Sequence, residues 1–461
     1  MSVAIPSKTH SIESATQRIG REIFERARRA RPRPIELGWW QELGLAWSMR
    51  RPHLRDRLFR FISLLPRQVT HAEVARSLRE QLGGNGDDLP FPLRLAVDFR
   101  DDDSVHAQLV AWAARFAAGQ MARSFIVGST PAEAVAAVGR MRSSGMTFTL
   151  DVLGETVRTA REAEHFHELY RRLLRELAGV SPRWSHDPLL DTAPFGPLPR
   201  SNVSVKLSAL SPHFTHDLPQ VDTAEAFDRL LDLCRAAHGG GGFINVDLEH
   251  VSLREATFDI FERLCSQTEL RDWPDIGIVI QAYLRDSRRD FDRLLALARR
   301  RATPITVRLV KGAYWDYETA LADQQGRPSP VWSHKWESDA QFEELTRLLV
   351  EHADLLRPAF GSHNVRSLAH AIASADAAGL PPRTIELQAL FGMGDPLKTA
   401  LVQMAQRLRV YCPMGAWVPG VAYLVRRLLE NTANESFLRQ SFLEGADEDQ
   451  LLAPPGMASA G

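Results

Sequence analysis

Between residues 146 and 413 the chain alternates short runs of β-branched and apolar residues with long stretches whose apolar positions recur every three to four residues. The β-rich runs are MTFTLDVL (146–153), NVSVKLSAL (202–210), FINVDLE (243–249), GIVIQAY (277–283) and ITVRLVKGAY (305–314). Fainter ones follow at RPAFGSH (357–363), RTIELQAL (383–390) and LRVYCP (408–413). Runs of this length read as strands, and the longer period reads as helix. Eight strands separated by helices predict an α/β fold with a closed parallel barrel.

Before residue 146 the pattern is helical throughout. RIGREIFERARRARPR (18–33) is rich in arginine, WWQELGLAW (39–47) is apolar, and HAQLVAWAARFAAGQMARSF (106–125) repeats its apolar positions at helical spacing. Gly83 to Asp88 reads as a loop, and so does the glycine run HGGGGF (238–243). A phosphate cradle follows its strand and opens a helix, whereas these glycines precede a strand, so they predict a flexible connection.

In a parallel barrel the chemistry gathers at the carboxyl ends of the strands. Those ends here carry Asp151, Lys206, Asp247, Gln281, Arg308 with Lys311, His363, Gln388 and Tyr411. A charge beside a strand end is costly unless it is paired or liganded. Singly each residue reads equally well as a structural ion pair; together they point to a site for anionic groups. Lysine is scarce, which sharpens the point. Of 56 basic residues only Lys8, Lys206, Lys311, Lys335 and Lys398 are lysines, and two of the five stand at strand ends.

Composition adds mainly exclusions. A chain of 461 residues with 44% hydrophobic and 25% charged residues and a net charge of -1 has no nucleic-acid bias. Arginines 18–33 suit a phosphate surface, but a solvated helix face is the commoner reading. Cys234, Cys265 and Cys412 lie in no CxxC or zinc spacing, so no disulfide framework and no metal are expected, and a reducing cytoplasm fits. No signal peptide or apolar run of roughly 18 residues is present, so any membrane contact is expected to be peripheral, at the inner face.

Near the end, VAYLVRRLLENTANESF (421–437) sets Tyr423, Arg426, Arg427 and Glu430 on one helical face and Val421, Leu424, Val425, Leu428 and Leu429 on the other. Two adjacent arginines suit a bidentate carboxylate clamp, because a planar guanidinium meets two oxygens at once. An amphipathic helix turning its charges to water explains the same pattern.

Taken together, DVLGE (151–155), VSVKLSAL (203–210), INVD (244–247), VIQAY (279–283), VRLVKGAYWDYE (307–318), SHN (362–364), ALFGMGDPLK (389–398) and YLVRRLLENTANESF (423–437) resemble the proline dehydrogenase family. The likeness is to the dehydrogenase module of bacterial proline utilization A. It implies a distorted (β/α)8 TIM-type barrel preceded by a helical N-terminal domain. The expected division is a helical arm and N-terminal domain at 1–145, an FAD-binding barrel at 146–440 and a C-terminal tail at 441–461.

By this resemblance the cofactor is noncovalent FAD at the strand ends, and the last barrel helix covers the mouth. The chain would oxidise L-proline to 1-pyrroline-5-carboxylate and pass the electrons to a membrane quinone. Arg426, Arg427 and Lys206 would hold the substrate carboxylate, while Tyr423, Tyr314, Tyr411, Ala313 and Leu390 wall the ring pocket. Asp247 would orient Lys206, and Glu155 would pair with Arg426 as a gate. Gln281, Arg308, Lys311, Ala313, His363 and Glu430 would face the flavin. Tyr411 implies preference for proline over hydroxyproline.

Three stretches depart from the usual family pattern: DLEH (247–250), LFGMG (390–394) and GAWVPGVAY (415–423). Each leaves the named ligands in place. The chain ends at LLAPPGMASAG, so a separate pyrroline-carboxylate/glutamate-semialdehyde dehydrogenase is expected as partner. No basic ribbon-helix-helix opens the chain, which argues against DNA binding. Three alternatives stay open. They are a flavoenzyme acting on another cyclic amino acid, a metal-dependent barrel hydrolase using Asp247, Glu249, His250 and His363, and a nucleic-acid-binding scaffold built on 18–33.

Overall fold

Eight parallel strands close into one barrel in a computed structural model that describes residues 8–30, 57–58, 60–62, 64–65, 68–82, 98, 101–154, 157–215, 221–416 and 447–456. The strands are β1 Thr147–Val152, β2 Ser201–Val205, β3 Gly242–Val246, β4 Ile276–Gln281, β5 Ile305–Val310, β6 Leu356–Gly361, β7 Glu386–Leu390 and β8 Leu408–Met414. Neighbours pair in chain order, and β1 closes the ring on β8 with Thr149 beside Tyr411 and Asp151 beside Pro413. All eight expected strands are present. Several end earlier than the apolar runs suggest, because Lys206 and Asp247 already belong to the turns that follow.

Helices follow the strands and seal the outside. α5 (Ala160–Val180) shows why they form where they do: Thr159 and Glu162 make a reciprocal capping box, and Tyr170, Leu173, Leu174 and Leu177 bury one stripe. α6 (Ala224–Gly239), α7 (Val251–Cys265), α8 (Ser287–Arg301), α9 (Trp315–Gln324), α10 (Lys335–Glu351), α11 (Val365–Ala377) and α12 (Asp395–Gln403) complete the wall. The glycine run proves to be a tight helix-to-strand turn rather than a slack loop: α6 ends at Gly239, Gly241 takes φ +63°, and β3 starts at Gly242.

α11 is buried on every side from Val365 to Ala375, a pattern that needs cover on both faces. That cover is α1 (Lys8–Arg29), whose Ile19, Ile23, Phe24 and Ala27 join the main core. The contact is keyed by Arg366, which donates to both oxygens of Glu13 (2.8 Å each) and of Glu343 (2.8 and 3.1 Å). Four of the five described arginines of 18–33 pair with carboxylates: Arg26 with Glu22, Arg29 with Glu25, Arg21 with Asp449 and Arg28 with Glu448.

α2 (His71–Leu82), α3 (Val105–Arg123) and α4 (Pro131–Arg142) make up the rest of the described N-terminal part. α2 and α3 share a second small core that also takes in Leu153 and Met393, residues just beyond β1 and β7. The helical domain is therefore seated on one side of the barrel mouth. No described helix is long and apolar enough to cross a membrane. Expectations for 39–47, the loop at 83–88 and the helix at 421–437 fall outside the described residues.

Candidate active site

The side chains that alternate along the strands meet inside the barrel, and they are polar. Thr149 and Asp151 share one face of β1, Ser204 and Lys206 one face of β2 and its turn, and Asn245 and Asp247 one face of β3 and its turn. Barrel interiors are usually filled by branched apolar residues. Here Thr149 Oγ1 hydrogen-bonds Ser204 Oγ (3.0 Å), Arg308 Nη2 donates to the same Ser204 oxygen (3.0 Å), and Asn245 Nδ2 donates to Asp247 Oδ1 (3.1 Å). Hydrogen bonding makes this polar filling tolerable, because each buried group keeps a partner.

Above that layer five side chains lock together. Lys206, 7% exposed, directs its ammonium at Asp151 Oδ1 (2.6 Å), Tyr411 Oη (2.9 Å) and Asp247 Oδ2 (3.4 Å). Tyr411 donates its own proton to Asp247 Oδ2 (2.7 Å), and Arg308 Nη1 donates to Asp247 Oδ1 (2.7 Å). The Tyr411 ring also lies 5.6 Å from the Lys206 ammonium and 5.4 Å from the Arg308 guanidinium. Burial, then the nearby Asp151 and Asp247 carboxylates, hold the phenol well above its ordinary pKa, so it stays protonated.

The other predicted residues surround this centre. Gln281 ends β4 and spends its amide N–H bonds on the carbonyls of Leu248 (3.3 Å) and Glu249 (3.2 Å). Its Oε1 is buried with no hydrogen-bond partner among the described residues, and so is Arg308 Nε. His363 Nε2 accepts from the Leu390 backbone N–H (2.8 Å), which brings the ends of β6 and β7 together and leaves the ring proton on Nδ1. Tyr314 stands at the start of α9 with its ring 4.3 Å from that of His250, and Ala313 is exposed just before it.

Lys311 already has a carboxylate partner within the protein. It pairs with Asp339 of α10, which also holds Lys335 at 3.0 Å. Burial pulls the Lys311 pKa down to about 8 against the opposing pull of Asp339. The turn carrying it is closely shaped: Tyr283 N donates to Lys311 O (2.7 Å), and Gly312 has φ +132°. A Cβ at Gly312 would stand 2.4 Å from the Tyr283 ring.

Asp151 is the functional neighbour that the sequence reading left without a role. It is 1% exposed and, among the described residues, is the nearest carboxylate to Lys206, nearer than Asp247. Ser204, Asn245 and Thr149 were missed too. Their signal was the alternation of polar residues within TFTLDV, NVSVK and INVD, where a buried strand of a parallel barrel is ordinarily apolar throughout. Glu155, Tyr423, Arg426, Arg427 and Glu430 lie outside the described residues.

The members of the metal-hydrolase alternative are dispersed. Asp247 belongs to the central cluster, Glu249 accepts from Ser208, His250 packs at a tilt against the rings of Tyr314 and Tyr317, and His363 accepts from Leu390 N. Among the described residues no three His, Cys, Asp or Glu side chains converge as a metal set.

Comparison with known proteins adds an independent line. A family model described as proline dehydrogenase matches residues 134–440, and one described as the proline utilization A N-terminal domain matches 13–125. The bifunctional protein PutA of Klebsiella aerogenes is 33% identical over 396 residues, 84% of this chain and 28% of that protein. Proline dehydrogenase 1 of Bacillus subtilis strain 168 is 26% identical over 325 residues, 70% of this chain and 91% of that protein. The crystal structure of proline utilization A from Bdellovibrio bacteriovorus inactivated by N-propargylglycine is similar with a TM-score of 0.87 and 37% identity. It is matched by 97% of this chain over 44% of its own length. The chain thus spans less than half of the PutA proteins it matches.

Proposed function

This chain belongs to the proline dehydrogenase family, and from that premise we propose that it oxidises L-proline to 1-pyrroline-5-carboxylate with FAD as cofactor and a membrane quinone as final acceptor. The observation that carries the reading is the set of buried Lys206, Asp247 and Arg308 with half-buried Tyr411, the first two just past β2 and β3 and the others within β5 and β8. It offers an anionic small molecule a preorganised cation flanked by rigid aromatic bulk.

The residues present suit a flavin. Gln281 Oε1 and Arg308 Nε are buried polar atoms at the mouth without a hydrogen-bond partner among the described residues, and a ring edge rich in donors and acceptors complements both. In this reading Gln281, Arg308, Lys311, Ala313, His363 and Glu430 hold the cofactor. When bound, FAD accepts the hydride from proline and hands the electrons on.

The chain's own groups bind and orient. Lys206, Arg426 and Arg427 hold the substrate carboxylate; of the ammonium's hydrogen bonds to Asp151, Tyr411 and Asp247 the longest, to Asp247 at 3.4 Å, is the one a carboxylate oxygen most readily replaces. Asp151 and Tyr411 keep the ammonium in place meanwhile. Tyr423, Tyr314, Tyr411 and Leu390 enclose the ring, and Glu155 closes on Arg426. Release of hydride needs an unprotonated ring nitrogen, so turnover rises with pH until bound proline is deprotonated.

The proposed division is a helical arm and domain at 1–145, the catalytic barrel at 146–440 and a tail at 441–461, supported by the matched ranges 13–125 and 134–440. A separate pyrroline-carboxylate dehydrogenase would take the product. Three buried free cysteines accord with a cytoplasmic setting, where the reduced protein would meet quinone at the inner membrane face. The purified full chain should show a flavin absorption spectrum that L-proline bleaches without oxygen. Bleaching by another cyclic amino acid but not by proline would favour the related flavoenzyme instead.

A further inference from the structure

At the opposite end of the barrel, four arginines stand at the entrances of the last three strands: Arg357 in β6, Arg383 before β7, and Arg407 and Arg409 at β8. Arg409 is fully engaged, donating to both oxygens of Glu386 (2.8 and 2.9 Å) and to Phe148 O (2.6 Å). Arg383, with a left-handed backbone (φ +68°), donates to the carbonyls of Pro188 (3.1 Å) and Thr192 (3.0 Å). It thereby fastens the 188–197 segment beneath the barrel. From that segment the Phe195 ring lies 4.2 Å from the Arg357 guanidinium and 5.4 Å from that of Arg407.

Arg407 and Arg357 are left short of acceptors. Arg407 is 4% exposed; its Nε lies 3.4 Å from Glu386 Oε2, and its Nε and Nη1 have no hydrogen-bond partner among the described residues. Arg357 Nε is likewise buried without one, and its carboxylate neighbour, Asp275, is 3.7 Å away. Burial pushes Asp275 up to about 6, which weakens it as a counter-ion. Four guanidinium groups thus face two paired carboxylates, Glu386 and Asp275. The Phe195 ring face attracts cations but supplies no lone pair for an N–H group. A buried guanidinium without acceptors is expensive, and its planar fork is built to meet the oxygens of an anion.

We propose that this foot of the barrel binds a small inorganic anion between Arg357 and Arg407, closed in by Phe195. The amino-terminal face of such barrels is where stability is set, so the bound anion acts as a structural counter-ion remote from the mouth. The test is thermal unfolding of the full chain titrated with sodium phosphate and, separately, sodium chloride, with ionic strength held constant by gluconate, a bulkier organic anion. At least one of the two should give a saturating rise in Tm of roughly 1–2 °C at ten times its Kd. The Arg407→Gln variant should lose that rise, and Glu386 keeps its bonds from Arg409 and Gln388 there. If that variant does not fold, Arg357→Gln serves in its place. A rise that never saturates, as general salting-out gives, or one undiminished in the variant, overturns the proposal.

Discussion

The Tyr411 phenol donates to Asp247 Oδ2 at 2.7 Å while accepting from Lys206 at 2.9 Å, so one hydroxyl ties a carboxylate to the ammonium beside it. Tyr411→Phe removes that tie and keeps the ring. It should lower kcat/KM for L-proline by about ten- to hundredfold, since each partner loses a buried hydrogen bond. Preference over trans-4-hydroxy-L-proline should survive, because the bulk that excludes a 4-hydroxyl remains. Tyr411→Ser should narrow the preference, chiefly by damaging proline turnover as the ring is held less firmly. Comparing kcat/KM for both substrates in the two variants separates hydroxyl from bulk; a preference lost in the Phe variant would assign it to the hydroxyl instead.

Arg427→Met should leave flavin bound and weaken proline. Truncating one half of a buried charge pair costs about 2–5 kcal/mol, so the proline Kd from anaerobic titration should rise at least about thirtyfold. Unchanged affinity would remove Arg427 from the clamp.

Asp151→Ala removes the shortest contact of the Lys206 ammonium among the described residues, the 2.6 Å bond to that carboxylate, and leaves Asp247 at 3.4 Å. Weakening a buried ion pair this way should cost no more than the roughly 3–5 kcal/mol of a fully broken one, seen as a lower midpoint in urea. Lys206→Met placed on top should recover part of the loss, because it removes the buried charge. Simple additivity in this cycle would mean that the two residues are energetically independent.

Gly312→Ala should disturb the mouth without unfolding the barrel. At φ +132° with the Tyr283 ring 2.4 Å from the added methyl, the turn must shift, and Lys311 and Ala313 shift with it. The expected result is near-normal circular dichroism with most of the flavin absorbance lost. Full flavin content would separate this turn from cofactor binding.

Acid stability should report on Glu386. Burial raises its pKa, but Arg409 and Arg407 outweigh burial and bring the carboxyl down to about 2 from 4.5. A depressed folded pKa means that its stabilisation is complete above about pH 4.5 and is lost as pH falls through about 2. Glu386→Gln should therefore be less stable than the parent at pH 7, and its stability should fall less steeply between pH 4.5 and 2. Parallel profiles for the two proteins would contradict this.

The barrel was legible because period-two runs separated by period-3.6 runs are a local signal, readable eight times over. The mouth was legible in part for a related reason: Lys206 and Asp247 each follow directly on a strand, and the closed topology brings strand ends together, although Arg308 and Tyr411 lie within β5 and β8. Pairings between distant elements were not. Nothing near Lys311 in the sequence announces Asp339, 28 positions on and across two helices, and nothing near Lys206 announces Asp151 rather than Asp247. The polar lumen was hidden by a general expectation about barrel interiors that this chain does not follow.

The seating of α1 on α11 has a consequence for how the molecule is made. Glu13 meets Arg366 across 353 positions, and Arg366 Nη1 also donates to Leu452 O near the end of the described chain. During synthesis at roughly 5–20 residues per second, α1 leaves the ribosome about 20–70 s before the helix it lies on. Through that interval its Ile19, Ile23 and Phe24 have no native surface to cover them. The arm is thus made well before the helix it docks on, and a nascent chain arrested before residue 366 would present that apolar stripe to chaperones.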